Sequence, residues 1–209
     1  MAKAVLISIR PEWVEKIANG EKTIEVRKTK PHLETPFKCY IYCTNTRPFL
    51  VWGDVFRGDW VTEFTHLSGY GRAEADRTWD VFNGHVAGEF VCDNIRPLMA
   101  ESFIVKEDAE KALLGTSLTS EQIKDYAGWK GKKWWNCNDL YKWHISNLKI
   151  YDAPKPLSAF KGLCKIDVGC GECPYYNYTK MECDGRTIKR PPQSWCYVEE
   201  QRWPYVNLL

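Results

Sequence analysis

The chain has 209 residues, of which 44% are hydrophobic, and its 29 basic and 27 acidic side chains give a net charge of +2. This balance excludes a disordered or fibrous chain and differs from that of a polycationic tail. No apolar run approaches the roughly 20 residues that a membrane-spanning helix requires. The apolar stretch near the start is too short for a secretory signal, so we expect a cytoplasmic protein without membrane partners.

Cysteine and tryptophan are both unusually frequent, with nine and ten residues respectively. In a reducing compartment disulfides do not persist, and clustered thiols more often bind metal. An excess of indole indicates either a large aromatic core or flat surfaces on which nucleobases stack.

Hydrophobic periodicity divides the first half of the chain into strands and one helix. In chain order the predictions are a strand over 5–9, a helix from Pro11 to Asn19-Gly20, strands over 22–28, 38–44 and 51–56, and an irregular segment over 57–83. The alternation over 22–28 predicts that Thr23, Glu25 and Arg27 share one face of their strand.

The second half begins with a strand, changes to helical periodicity and returns to a strand. The predictions are a strand over 85–92, helices over 106–114 and from Thr119 to Tyr126, a strand over 143–151, and a linker over 153–156. We predict a domain over 1–156, with a helical and aromatic insert over about 94–138. A cysteine-rich extension over 157–209 is expected to pack back on it through residues 195–198.

The sharpest local pattern is a lysine, a carboxylate and an arginine at Lys22, Glu25 and Arg27. Side chains at this spacing either bind a polar planar ligand or form a solvated row of ion pairs. Composition by itself favours the solvated row, because charged side chains are mostly exposed.

The same segment resembles the opening of the ASCH domain family, a branch of the PUA-like superfold. The matching residues are Ser8, Pro11, Ile17, Gly20, Lys22, Thr23, Glu25 and Arg27. Residues 83–90 and 141–151 resemble the family's central and closing barrel strands. The resemblance implies an α+β fold, a PUA-like partly open β-barrel flanked by helices, with a cleft lined by residues 20–27. It also implies RNA or a modified nucleoside as the ligand.

An enzymatic alternative follows from one branch of the family, which resembles an amidohydrolase that removes the acetyl group from acetylated cytidine with a lysine, a threonine and a glutamate. Lys22 matches the lysine, but Glu25 stands where the threonine nucleophile would be, and Thr23 lies in a different register. A carboxylate cannot perform the same acyl transfer without a new mechanism. The catalytic glutamate has no motif position, although the insert contains Glu107, Glu110 and Glu121. Acid-base cleavage of RNA by Lys22 and Glu25 is a second enzymatic alternative.

A short segment of the insert alternates tryptophan with lysine. Its candidate nucleic-acid-binding residues are Trp129, Lys130, Lys132, Lys133 and Trp134. Lysines neutralise phosphates, and indoles provide stacking that tolerates any base. The alternative is an aromatic anchor that fixes the insert to the barrel, with the lysines as solvated neighbours.

His144 and Ser146 are two residues apart on a predicted strand and therefore share a face. A serine nucleophile needs a base and a group that orients that base, and no orienting carboxylate is evident in the sequence. We therefore favour a structural pair at the rim of the ligand cleft, where both residues are candidate nucleic-acid contacts.

The C-terminal cysteines predict a structural zinc site. Cys170 and Cys173 form a C-x2-C knuckle, and Cys183 and Cys196 complete four ligands, with Cys164 as a substitute. Four thiolates leave no open position, so this zinc would be structural. Reduced thiols without metal and a redox or disulfide role are the alternatives. By contrast, the cysteines at 39, 43 and 92 occupy core-facing strand positions and are expected to act as small hydrophobic residues.

The residues and the resemblance together predict recognition of RNA or a modified nucleobase. Lys22, Glu25 and Arg27 would contact the ligand, and the tryptophan-lysine segment would contact the backbone. The alternative is a nucleic-acid-directed hydrolase centred on Lys22. Partner binding through the aromatic segment over 57–83 is a third possibility.

Overall fold

The computed structural model describes residues 2–47, 50, 81–163, 172–173, 175–179, 181–183 and 186–201. The strand predicted over 51–56 and most of the segment over 57–83 lie outside these residues. In chain order the described helices and strands are β1 (Lys3–Ile9), α1 (Pro11–Ala18), β2 (Ile24–Arg27), β3 (Phe37–Cys43), β4 (Val86–Cys92), β5 (Ile95–Leu98), α2 (Lys106–Leu113), α3 (Ser120–Ala127), β6 (Leu140–His144), β7 (Ser146–Lys155), β8 (Tyr176–Asn177), β9 (Glu182–Cys183) and β10 (Trp195–Glu199).

The strands form two mixed or antiparallel sheets and one small hairpin. The larger sheet has the order β10-β1-β3-β4-β7, and the smaller sheet has the order β2-β6-β5. β1 and β3 are parallel, and the other neighbours in both sheets are antiparallel. These open sheets and the flanking helices form an α+β fold, which confirms the predicted α+β class.

Both faces of strand β1 are buried. Val5 and Ile7 pack in a cluster that includes Trp143 of β6, whereas Leu6 packs on the other face with Phe160. A third cluster joins the insert to the smaller sheet, with Ile123 of α3 at its centre. Burial on both faces explains why β1 is a continuous apolar run instead of an alternating one.

The predicted alternation of β3 is confirmed. Cys39, Ile41 and Cys43 face the first cluster, and Tyr40 and Tyr42 face the second. The cysteines at 39, 43 and 92 are completely buried, as expected for small hydrophobic residues. Burial raises the pKa of the Cys92 thiol to about 12, so this thiol stays protonated and unreactive at neutral pH.

Helix termini follow the local signals in the sequence. Pro11 occupies the first turn of α1, where its missing N–H has no helical partner to lose. Thr119 and Gln122 form the predicted capping box at the start of α3, and Gly128 ends that helix with a φ of 71°. None of the described helices has the length and apolar character needed to cross a membrane.

The closing strand predicted over 143–151 is wrong in its extent. The chain instead forms β6 and β7, which belong to different sheets and are separated at Ile145. β7 also continues through Pro154 into the segment predicted to be a linker. Proline is compatible with this strand because β7 lies at the edge of its sheet, where an absent N–H breaks no ladder on the outer side.

The C-terminal part of the chain contributes to the main sheet. Strand β10 pairs with β1, so that Cys196 lies opposite Leu6 and Trp195 lies opposite Ile7. Val198 is completely buried in the second cluster. The pairing covers an edge of β1 that would otherwise present unpaired backbone groups.

Candidate functional site

Three charged side chains at the start of the smaller sheet form a buried group, which we call the charged row: Lys22, Glu25 and Arg27. The Lys22 Nζ lies 3.4 Å from Glu25 Oε2, and the Arg27 Nε lies 3.0 Å from Glu25 Oε1. The three side chains are 2%, 9% and 10% exposed. The solvated row favoured by composition is therefore wrong, because the row lies inside the fold.

Lys22 joins this group because β2 is shorter than predicted. The strand begins at Ile24, so the alternation that would send Lys22 to the opposite face does not apply to it. Its Nζ donates to the carbonyls of Ile24 at 2.8 Å and Thr116 at 2.7 Å, and lies 5.6 Å from the centroid of the Trp13 ring. With Glu25 nearby, all three N–H groups of the amine have acceptors.

A loop of the insert covers Lys22. The Gly115 carbonyl accepts hydrogen bonds from the backbone N–H groups of Thr23 and Ile24, both at 2.9 Å. Gly115 has a φ of 76°, and a Cβ there would lie 2.5 Å from Thr23 Oγ1. Only glycine fits this conformation and this close approach. The next residue, Thr116, is completely buried and supplies the carbonyl that binds Lys22.

Arg27 connects the row to the larger sheet. One guanidinium nitrogen donates to the Ser8 carbonyl at 2.7 Å, and another lies 3.5 Å from the hydroxyl of Ser194. Trp143 lies opposite Glu25 in the β2–β6 ladder, so both side chains point to the same side. The Trp143 indole N–H is buried without a hydrogen-bond partner among the described residues, and so is the Arg27 Nε despite its ion pair.

The electrostatic balance of the row is positive. Burial lowers the pKa of Lys22 below its ordinary value of 10.5, and Glu25 opposes part of this shift. Arg27 lowers the pKa of Lys22 further, because the two cations repel each other. Two cations share one carboxylate, so the charged row carries a net charge of about +1 in a desolvated environment.

His144 does not join the charged row. In the register of β2 and β6, His144 lies opposite Ile24, one position along from the Glu25–Trp143 pair. Neighbouring positions on a strand point to opposite faces, so His144 lies on the other side of the sheet. Thr23 is exposed, in contrast to Glu25 and Arg27.

The orienting carboxylate that sequence reasoning missed is Asp93. His144 Nδ1 lies 2.6 Å from Asp93 Oδ1, and this hydrogen bond is the main reason that the pKa of Asp93 is lowered. The Ser146 hydroxyl donates to the Val91 carbonyl at 2.8 Å. The signal available in the sequence was the Asp93-Asn94 turn directly after a strand, but its proximity to His144 depends on the pairing of β5 with β6.

The tryptophan-lysine segment is divided between core and surface. Trp129 is buried in the third cluster and its Nε1 donates to the Asn138 carbonyl at 2.9 Å, so the anchor interpretation describes this residue. Lys130 is exposed and lies 3.3 Å from Asp125. Lys132, Lys133 and Trp134 are exposed, and none of them contacts the charged row.

The described part of the extension holds some of the predicted zinc ligands. Cys173 and Cys183 are both buried, and both lie beside Tyr176, which pairs with Cys183 and donates its backbone N–H to the Cys173 carbonyl at 3.0 Å. Cys196 packs against the second cluster from β10, and burial raises its pKa. Among the described residues, no three potential metal ligands come together. Cys164 and Cys170 lie outside those residues.

The architecture is similar to that of two crystal structures of variants of ZmASCH from Zymomonas mobilis. A tyrosine-to-phenylalanine variant has a TM-score of 0.51 and 16% identity, over 95% of this chain and 92% of that chain. A serine-to-alanine variant has a TM-score of 0.50 and 16% identity, over 94% of this chain and 89% of that chain. No family model and no curated protein matches the sequence.

These similarities define the fold. The protein has an α+β fold of open sheets flanked by helices, with an insert between β5 and β6. Within that class it has the fold of the ASCH domain proteins, which confirms the resemblance noted in the sequence.

Proposed function

We propose that the protein binds RNA or a modified nucleobase in the barrel cleft at the charged row. The observation that carries the proposal is the net positive charge of Lys22, Glu25 and Arg27 in a buried position. Burying an uncompensated charge is costly, and perturbed ionisable groups of this kind cluster at functional sites. A ligand with an anionic or acceptor-rich planar group compensates that charge.

The neighbourhood of the row supports the same ligand chemistry. The unpaired N–H of Trp143 lies on the Glu25 side of the ladder and is available as a donor to a carbonyl or ring nitrogen. Arg27 presents a planar fork of donors that suits the edge of a base. The loop at Thr116 closes the row in this structure, so ligand entry requires this loop to move.

Substituting Lys22 tests this proposal. We expect Lys22→Ala to weaken binding of a single-stranded RNA decamer by about tenfold or more, because charged hydrogen bonds contribute about 1.5–3 kcal/mol each. Fluorescence anisotropy measures the affinity. Lys16→Ala is the matched control, because Lys16 also pairs with a glutamate, Glu21, at 3.0 Å but on the surface. Unchanged binding by a folded Lys22→Ala protein would contradict the proposal.

A hydrolase centred on Lys22 is the second candidate, and the lowered pKa of this amine favours it because a general base must lose its proton near the working pH. The two candidates predict opposite pH dependence. As the pH rises through the lowered pKa of Lys22, loss of its charge weakens binding but raises the rate of a reaction that uses the neutral amine. Turnover of acetylcytidine or RNA measures the reaction rate. Glu107, Glu110 and Glu121 are exposed and have no contact with Lys22.

We also propose that the cysteine-rich extension binds one structural zinc ion through Cys170, Cys173, Cys183 and Cys196, or with Cys164 as a substitute. The support is the proximity of two buried thiols, Cys173 and Cys183, to the same hairpin.

The zinc content of the purified protein tests this second proposal. Protein purified without chelator should contain about one zinc per chain, and Cys173→Ser and Cys183→Ser should lose it, because removing a thiolate opens a tetrahedral site. Cys137→Ser, at a partly buried thiol outside the extension, is the control and should keep the metal. Equal metal content in all of these proteins would contradict the zinc assignment.

A further inference from the structure

A cavity of about 320 Å³ opens on the insert, away from the residues of the charged row. We call it the insert pocket and define it by Phe103, Lys124, Lys132, Lys133, Trp134 and Trp135. Its volume lies at the lower end of the range for small-ligand pockets. It is therefore large enough for one planar ring system and a substituent.

The charges that line the insert pocket have one sign. Lys124, Lys132 and Lys133 line it, and no acidic side chain does. Within the described part of the chain, none of the three forms an ion pair, whereas the neighbouring Lys130 is paired with Asp125 at 3.3 Å. Three uncompensated ammonium groups at one opening attract an anion.

The aromatic walls of the insert pocket are exposed and braced. Trp134 and Trp135 are 44% and 59% exposed, and their rings meet edge to face with centroids 5.5 Å apart. At the floor, Phe103 packs against the buried Trp129 with ring centroids also 5.5 Å apart. Lys133 Nζ lies 5.0 Å from the centroid of the Trp135 ring, so the exposed Trp134 indole is the one that we expect to stack on a planar ligand.

We propose that the insert pocket binds one unpaired nucleobase of a single-stranded nucleic acid, with the adjoining phosphates at Lys132 and Lys133. Stacking on an indole and pairing of phosphates with lysine are the two interactions that such a strand requires. An anionic membrane also attracts lysine and tryptophan, but it requires side chains that protrude, whereas these line a concavity. A base paired in a duplex has no free face to stack. This site is separate from the cleft, and the proposal does not depend on it.

The test is the binding of a fluorescein-labelled single-stranded RNA decamer over a series of salt concentrations. Replacing Lys132 and Lys133 together by glutamine should make the plot of log affinity against log salt shallower by about 1.4, since each phosphate contact contributes about 0.7 for single strands. Trp134→Ala should weaken binding by about 5- to 150-fold. Lys16→Gln is the control and should leave the slope unchanged, because Lys16 pairs with Glu21 at 3.0 Å on the surface and does not line the insert pocket.

Three outcomes would overturn the proposal. The first is an unchanged salt slope in the double lysine variant, whose two substituted positions are exposed and do not contribute to the core. The second is equal competition by duplex RNA of the same length. The third is binding to phosphatidylserine vesicles, instead of RNA, that depends on Trp134. If Lys22→Ala abolishes RNA binding and the pocket variants do not weaken it, the cleft proposal is supported and this one fails. The reverse pattern supports the insert pocket alone.

Discussion

Glu25→Gln is expected to lower the free energy of unfolding by about 3–5 kcal/mol, because it leaves two buried cations without their shared counterion. Lys22 and Arg27 both pair with this carboxylate, at 3.4 and 3.0 Å, and all three side chains are at most 10% exposed. The pKa of Lys22 should also fall further, since Glu25 is the group that raises it. Urea unfolding followed by fluorescence measures the change in stability.

Glu21→Gln is the matched control for this experiment. Glu21 pairs with Lys16 at 3.0 Å, but the two side chains are 55% and 39% exposed. Exposed pairs contribute about 0–1 kcal/mol, so the control should be nearly neutral. If both variants lost the same small amount of stability, the charged row would be solvated in solution, and the functional proposal for the cleft would lose its main support.

Trp143→Ala is expected to have an effect of the same size, about 3–5 kcal/mol, because it removes the largest completely buried side chain among the described residues. Trp143 contacts Phe37 and Trp195, with ring centroids 6.0 and 6.1 Å apart. Losing it leaves a cavity between the two sheets. Thermal and urea unfolding measure the loss, and Trp135→Ala, at a 59% exposed position, provides the control.

Trp143→Phe examines the unpaired indole N–H separately from the ring. This variant keeps an aromatic ring in the core and removes a buried donor that has no partner among the described residues. We therefore expect it to cost clearly less than Trp143→Ala. An equal cost would mean that the N–H is satisfied in solution, and a water or bound ligand at that position would then be required.

Local signals were sufficient for much of the secondary structure. Pro11 and the Thr119 capping box marked helix starts, and the alternation over 38–44 placed the β3 side chains on the correct faces. These features depend on contacts within one turn or one pleat, so they can be read from neighbouring residues. The resemblance to the ASCH family added the fold, which no local pattern contains.

The candidate site was only partly predictable, because its contacts join segments that are far apart in the chain. The spacing of Lys22, Glu25 and Arg27 identified the residues, but not their burial, which comes from the Thr116 loop 94 residues away in sequence. Trp129 and Trp134 are alike in sequence context, yet Trp129 is a buried anchor and Trp134 is 44% exposed. Asp93 meets His144 across 51 residues through strand pairing.

The sequence by itself therefore determined the α+β class, the helix starts, the core positions of the cysteines at 39, 43 and 92, and the residues of the charged row. The tertiary structure alone decided which charges are buried, which tryptophans are exposed and which carboxylate holds His144. Burial and ion pairing depend on segments far apart in the chain, whose proximity is set by sheet register and loop packing and not by local propensity.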